Sequence, residues 1–297
     1  MTYSIVARDP ATGRFGIAIQ TCWPFVGASC PWVGSGVGAV VTQSFTEIAH
    51  GPNGLARLRT GASAAETLTE LLAADPGAAV RQVGMVDAAG GSAAHTGDRC
   101  VEAAGHLAAD GVSVQANMME RPTVWPAMLA AYSRETGDFV DRLLATLRAA
   151  EAEGGDIRGR QSAALIVSGA PGEPAWKRAV DLRVDDHRAP LDELERLVRL
   201  HRGYDALDRA EERGRAGDVA AAIAASREAS VLAPGDDQIM VWQAIGMAGA
   251  GLLEPARALL DVASAVNPRW PEFVRRFADS GAQPELAGPA RVLLGRG

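Results

Sequence analysis

Thr2-Tyr3-Ser4-Ile5-Val6-Ala7-Arg8, then Asp9-Pro10-Ala11-Thr12-Gly13, then Phe15-Gly16-Ile17-Ala18-Ile19-Gln20-Thr21: two extended runs separated by a Pro/Gly turn predict a β-hairpin. Period-two alternation places Ser4 and Arg8 on the same face of the first strand as Thr2, with Tyr3, Ile5 and Ala7 opposite. Gly16 and Ala18 in the second run leave room for another layer to approach closely. A hairpin opening without a phosphate loop after it argues against a doubly wound nucleotide fold.

Working outward, Val37–Gln43 reads as a third strand behind the glycine run Gly34-Ser35-Gly36. Helical spacing follows over Gly51–Arg59 and Ala64–Ala73. Ser63 with Glu66 three residues on forms a capping-box pattern in front of the second of these. Val80–Asp87, Ser92–His95 and Gly111–Asn117 predict further strands, Pro122–Arg134 and Gly137–Glu153 two helices, and Gln161–Ser168 and Ala179–Val184 the closing strands. The order is that of an α+β domain, residues 1–188, with helices segregated from an antiparallel sheet. Residues 189–203 predict a linker helix. From 204 to 297 the chain is all helix and it repeats: Gly217 and Gly251, Ala222 and Ala256, Ala229 and Ala263, and Pro234 and Pro268 are each 34 residues apart. That period, with a small residue between paired helices and a closing proline, is the tetratricopeptide signature. It covers about 204–268, with a capping helix at Pro271–Asp279. Trp242 and Trp270 fit the repeat core better than a ligand contact. Two repeats fall short of the usual three, so they are expected to lean on the first domain or on a second copy in a homodimer. A protein partner along the repeats is the other use.

Composition limits the functions. In 297 residues, 47% are hydrophobic and 22% charged, enough for packed cores. The formal charge of −7 disfavours nucleic acid and anionic membranes as partners. Three cysteines without C-x-x-C spacing predict reduced thiols rather than a zinc site or a disulfide framework. No signal peptide and no run long enough for a spanning helix is visible, so a cytoplasmic location is expected. His50, His95, His106, His187 and His201 are scattered without metal-ligand spacing, and neither a metal nor another cofactor is expected. The motifs of P-loop, zincin and α/β-hydrolase chemistry are missing. Gly34–Gly38 precedes a strand, so it presents no helix N-terminus to a phosphate. A thiol enzyme on Cys22 or Cys30 is a weaker reading. Cys22 has no obvious base near it in sequence, and packing explains it more simply.

The chain start remains. Initiator methionine is normally removed before a small residue, which would free the α-amine of Thr2. That group titrates near ~7.7–8.0 and is partly basic at neutral pH. One residue would then supply a hydroxyl nucleophile and its base.

The sequence resembles the bacterial and archaeal domain-of-unknown-function family 1028, grouped with the N-terminal nucleophile hydrolases. The resemblance rests on Thr2–Asp9 with Thr12-Gly13; Gly36–Val40 with Thr42-Gln43; Thr96-Gly97, Cys100 and Gly105-His106; Ser113-Val114-Gln115 with Asn117; and Gly155-Asp156 with Arg158–Ala164. It implies a four-layer αββα sandwich whose active centre lies at the start of the first strand, with Thr2 attacking an amide carbonyl to form an acyl-enzyme. The family has no settled substrate. Proteasome-type members of the superfamily use a lysine near the nucleophile; the one lysine here, Lys177, lies outside the N-terminal strands.

The motif residues also have physical readings. Asn117 and Gln43 end strands, where their amides would either donate to an oxyanion or cap the strand ends. Arg158 and Arg160 present forked donors that suit a carboxylate, so a small acidic amide is the expected substrate. Asp156 would pair with one of them or hold the loop. Ser162 would bond the Thr2 amine or close the start of its strand. The competing function is a non-catalytic domain whose output is binding or assembly through the repeats.

Overall fold

Strand-forming runs that alternate around a buried face need a second layer on each side. In the computed structural model, which describes residues 2–295, the first unit supplies those layers. Its elements begin with β1 (Thr2–Arg8), β2 (Phe15–Thr21), the short α1 (Val26–Ser29), β3 (Pro31–Gly34) and β4 (Gly38–Ser44). Helices α2 (His50–Arg59) and α3 (Ala64–Ala74) precede β5 (Arg81–Asp87), β6 (Ser92–Thr96), β7 (Gly105–Ala109) and β8 (Val112–Asn117). Then come α4 (Val124–Arg134), α5 (Phe139–Ala152), β9 (Ser162–Ser168) and β10 (Arg178–Val184).

Six of these strands form one sheet in the order β10-β9-β2-β1-β8-β7, and four form another in the order β3-β4-β5-β6. Every pairing between them is antiparallel. The opening hairpin therefore sits in the middle of the larger sheet. Helix α5 packs on β1 and β2, and α4 on β7 and β8; α2 packs on β3 and β4, and α3 on β5 and β6. Gly16 admits α5: a Cβ there would lie 2.6 Å from Leu143 Cδ1 and 2.7 Å from Phe139. The two sheets face each other through β1 with β4, β2 with β3 and β5 with β8. Val6, Ile17, Ile19, Val41, Val86 and Ile166 fill the layer between them. Each such side chain contributes roughly 1.5–3 kcal/mol.

Local signals are realised. Ser63 and Glu66 form a reciprocal capping box on α3, and Asp138 caps α5 by accepting from the Asp141 N–H. The sequence pattern did not reveal β3, α1 or β7. Strand β3 is four residues long and opens on Pro31, which an edge strand tolerates at its first position. Strand β7 is an exposed edge without a buried alternation.

The chain divides into units at Glu195/Arg196. That point falls inside α6 (Pro190–Arg215), a continuous 26-residue helix that takes in 190–203 of the expected linker 189–203 and runs on past it. The second unit continues with α7 (Val219–Leu232), α8 (Asp237–Gly249), α9 (Leu253–Val266), α10 (Trp270–Ser280) and α11 (Pro284–Leu293). Shifting α7 by 34 residues gives the bounds of α9. Gly217 and Gly251, one register apart, have φ of 77° and 79°. Ala229 and Ala263 are both fully buried. The core of this unit joins Val241, Ile245, Ala256, Leu260 and Val274. Trp242 packs edge-on against Phe273 and Phe277, with centroids 6.0 and 5.1 Å away. Among the described residues, no helix is long and apolar enough to cross a membrane.

Candidate functional site

Register decides what surrounds Thr2. It stands opposite Thr21 on β2 and Asn117 on β8, and Thr21 stands opposite Ser162 on β9. Directly paired residues share a face, so Asn117, Thr2, Thr21 and Ser162 form a polar row across four strands. In the facing sheet Gln43, Gln82 and Thr96 are paired in the same way. Moving along the strands, the inward positions become apolar: Val6, Ile19, Ala164, Val41 and Val86. One end of the inter-sheet layer is thus polar and the rest is a hydrocarbon core.

Between the sheets, and among the described residues, the polar end is fully hydrogen-bonded with one exception. Thr2 is 5% exposed, and its Oγ1 donates to Thr21 Oγ1 at 3.2 Å. The Thr2 carbonyl accepts from Gln43 Nε2 at 3.1 Å and from Asn117 Nδ2 at 3.2 Å. Both amides also donate to Gln82 Oε1, at 2.7 and 2.8 Å. Gln82 Nε2 in turn donates to Thr96 Oγ1 at 2.8 Å and to the carbonyls of Ala116 and Gly105 at 2.9 and 3.2 Å. Ser4 Oγ donates to Gln43 Oε1 at 2.6 Å and accepts from Gln115 Nε2 at 2.7 Å. Thr96 Oγ1 lies 2.9 Å from His106 Nδ1. Burial and the neighbouring His95 push the His106 pKa down, which favours the neutral ring as an acceptor there. The exception is Asn117 Oδ1, fully buried and without a partner. Leaving an acceptor in that condition costs about 1–3 kcal/mol.

Gln43 and Asn117 therefore spend their amide hydrogens on the first peptide and on Gln82. In this arrangement neither presents an open donor to an oxyanion. Ser162 bonds the loop after β2, and among the described residues no hydrogen bond joins it to Thr2. The Ser162 Oγ donates to the Trp23 carbonyl at 2.5 Å and accepts from the Val26 N–H at 3.2 Å. Asp156 is buried and accepts from the N–H groups of Cys22 (3.2 Å) and Arg158 (2.9 Å), with the Arg158 guanidinium 3.5 Å away. Arg160 pairs with Glu151 at 2.6 Å. Behind the row, on the helix side of β1, Glu151 also takes hydrogen bonds from Tyr3 Oη and from Gln20 Nε2. Burial, then the Glu151 carboxylate, raises the Tyr3 pKa well above its ordinary value. Removal of Met1 concerns a residue outside those described.

Cys22 follows Thr21, and burial together with the Asp156 carboxylate pushes its thiol pKa up. Burial does the same to Cys30. Neither environment favours a thiolate, which weighs against a thiol enzyme. Among the described residues, no three His, Cys, Asp or Glu side chains gather with metal-holding geometry.

Backbone strain marks the same end of the unit. Among the described residues, the non-glycine positions with left-handed φ are Phe25, Ser44, Ala103 and Met118 (63°, 70°, 53° and 57°). Each lies at or just beyond a strand end next to the polar row. Phe25 is 57% exposed, so packing of its ring does not account for its conformation. A groove of about 470 Å³ lies at the other end, beside Asp9, Thr12, Phe139 and Arg142. Three of its charged groups are engaged: Asp9 binds the turn through Thr12, Asp138 caps α5, and Arg142 sits 4.1 Å over the Tyr132 ring. Arg14, also in its lining, keeps a buried Nε that has no partner among the described residues.

Thr21, Gln82, Thr96 and Gln115 were not singled out as site residues from sequence. Thr21 could have been found, because a hairpin with Arg8 opposite Phe15 puts Thr2 opposite Thr21. Gln82 and Thr96 reach the site only through the packing of one sheet on the other, which no local spacing encodes.

Comparison with known proteins agrees with this architecture. No curated protein matches the chain. A crystal structure of a Silicibacter pomeroyi protein described as belonging to DUF1028 superposes with a TM-score of 0.60 at 32% identity, covering 66% of this chain and 87% of that one. The model of the same family, described as a family of unknown function, matches residues 2–194. That span takes in Thr2, both facing polar rows and the Asp156 loop, and the chain belongs to the DUF1028 family.

Proposed function

We propose that the first unit is a hydrolase of the N-terminal nucleophile type, cleaving an amide bond in a small, carboxylate-bearing substrate. The observation that carries this reading is the position of Thr2. It begins a central strand, on the face between two sheets that have helices packed on their outer sides, an αββα layering. Its hydroxyl lies in a polar row and its carbonyl is clamped from two sides. With Met1 removed, the Thr2 hydroxyl would attack the substrate carbonyl while its proton passes to the α-amine. The C–N bond breaks, the leaving amine takes that proton, and water hydrolyses the resulting ester. Arg158 and Arg160, half-exposed on the loop beside the row, are suited to the substrate carboxylate.

The test has two steps. Intact mass of the purified protein should show loss of one methionine; complete retention of Met1 removes the nucleophile. A panel of N-acyl amino acids and short amides should then give turnover that Thr2→Ala abolishes. Turnover unchanged in that variant excludes Thr2.

A second reading, assembly or partner binding through the helical unit, is favoured by the 34-residue recurrence of helix bounds and of the left-handed glycines. We read that unit as tetratricopeptide-like, with α10 and α11 as its cap. Light scattering on a chain truncated after residue 203 tests it. An unchanged oligomeric state and unchanged stability would count against assembly.

A further inference from the structure

We infer that Gln82 is a positioning residue for Thr2, setting the direction in which the clamp on the Thr2 carbonyl points. This rests on the reading of Thr2 as the nucleophile. Gln82 itself lies on the other sheet and touches Thr2 only through other side chains.

The inference follows from donors and acceptors alone. The side-chain nitrogen of Gln82 faces two backbone carbonyls, Ala116 and Gly105, and the Thr96 hydroxyl. Carbonyls only accept, so a reversed Gln82 amide would set oxygen against oxygen twice. The orientation of Gln82 is therefore fixed by the main chain, and its Oε1 must face Gln43 and Asn117. Those two amides can meet an oxygen only with their nitrogens, and each then has a hydrogen for the Thr2 carbonyl. Gln43 Nε2 also faces the Gln115 carbonyl at 3.4 Å, so the Gln82 oxygen decides the Asn117 side of the clamp and reinforces the Gln43 side. Direction thus passes from the main chain of β7 and β8, through one glutamine, to the first peptide of β1.

The partnerless Asn117 Oδ1 is a consequence of the same chain. Turning the Asn117 amide over would give that oxygen no donor, since it would then face Gln82 Oε1 and the Thr2 carbonyl. The network tolerates one orphan acceptor and holds Thr2 from both sides. Gln43, Gln82 and Asn117 are all fully buried, so solvent does not compete for these bonds. Gly84, two residues along β5, leaves the space that the Gln115 amide occupies in the same layer.

Two readouts test this in the full-length protein. The first is the carbonyl ¹³C shift of Thr2 in threonine-labelled protein. In the unsubstituted protein it should lie downfield of ordinary strand threonines, because two N–H groups bond that oxygen. An ordinary strand value overturns the inference without any variant. In Gln82→Met the resonance should move upfield; an unmoved resonance in the folded variant also overturns it. The second readout is the rate at which a β-lactone electrophile acylates Thr2, located by peptide mass mapping. Gln82→Met should slow acylation by about tenfold or more, as expected when a nucleophile is displaced by a fraction of an ångström to one ångström. Ile166→Val, a core change elsewhere in the same layer, should leave the rate within about twofold. Equal rates in Gln82→Met and the parent overturn the positioning role. Failure of the parent itself to acylate at Thr2 after loss of Met1 would instead overturn the nucleophile reading, and the carbonyl shift would still decide whether Gln82 sets the clamp.

Discussion

The two ends of the first unit make the same kinds of connection with different residues. At the hairpin end the left-handed backbone positions are glycines: Gly13, Gly36, Gly38, Gly90, Gly111 and Gly172. At the Thr2 end glycines serve in the Asp156 loop, at Gly154, Gly155 and Gly159, but Phe25, Ser44, Ala103 and Met118 adopt left-handed φ with a Cβ in place. A left-handed non-glycine residue costs roughly 1–2 kcal/mol. The inter-sheet layer changes along the same axis, from packed hydrocarbon to a polar network that leaves one acceptor unpaired. One end is built for stability, and the other carries strain and buried polarity that the rest of the unit must hold. Such a concentration is a pointer to function.

The largest effect should come from breaking the stable end. Gly38 has φ of 152°, and a Cβ there would sit 2.6 Å from the Val86 carbonyl oxygen and 2.8 Å from Leu58 Cδ1. Gly38→Ala should reduce unfolding free energy by about 3 kcal/mol, combining strain with overpacking, read by urea denaturation. A loss under about 1 kcal/mol would mean that this turn is not tightly held.

A pair of carboxylates carries the comparison further. Asp87 at the hairpin end accepts from the N–H groups of Ala64, Ala89 and Gly91. Asp156 at the Thr2 end accepts from those of Cys22 and Arg158. Charge-assisted bonds of this kind contribute about 1.5–3 kcal/mol each when broken singly. Asp156→Ala should cost about 2 kcal/mol and raise hydrogen exchange at the Cys22 and Arg158 amides while leaving Ala64 protected. Uniform deprotection would show that the two ends open together.

How much of this could be read from the sequence follows from the range of each interaction. The hairpin, the Ser63/Glu66 box and the 34-residue recurrence are local spacings, and each appears at its expected residues. Thr2 draws attention in the sequence by its position and Asp156 by its motif. The functions of Gln43, Asn117 and Ser162 were harder, because a strand-end polar residue looks the same whether it faces a ligand, a loop or another amide. Their partners are Gln82, Thr2 and Trp23, set by sheet pairing and by loop closure. Gln82 lies in a run recognisable as a strand, yet nothing in that run says which face meets β1. Long-range register hid the network; composition had no means of reporting it.

His106 gives a smaller effect at the polar end. Its folded-state pKa lies below the ordinary value, through burial and then His95. The unfolded chain therefore binds the proton first. The contribution to stability is present in full above about pH 6.5 and is lost as pH falls from there through the folded value. His106→Gln should flatten the decline in stability between about pH 7 and 5.5, by less than the Asp156→Ala loss. A decline of unchanged steepness would assign it to other groups.

The smallest effect tests the comparison most directly, because it reverses sign between the ends. Ala103 and Gly111 flank β7 and β8 with similar left-handed backbones, φ 53° and 68°. A Cβ at Gly111 would meet nothing closer than the Arg8 carbonyl oxygen at 3.6 Å, so Gly111→Ala isolates the backbone term and should cost about 1 kcal/mol. Ala103→Gly relieves the same strain but adds freedom to the unfolded chain, which offsets about 0.4–1 kcal/mol of the gain. The net should be a stabilisation of about 0.5 kcal/mol, measured as a small rise in urea midpoint with an unchanged slope. Loss of stability in both variants would mean that the Ala103 methyl is held by contacts that outweigh its backbone, and the strain at the Thr2 end would then be paid locally rather than by the unit as a whole.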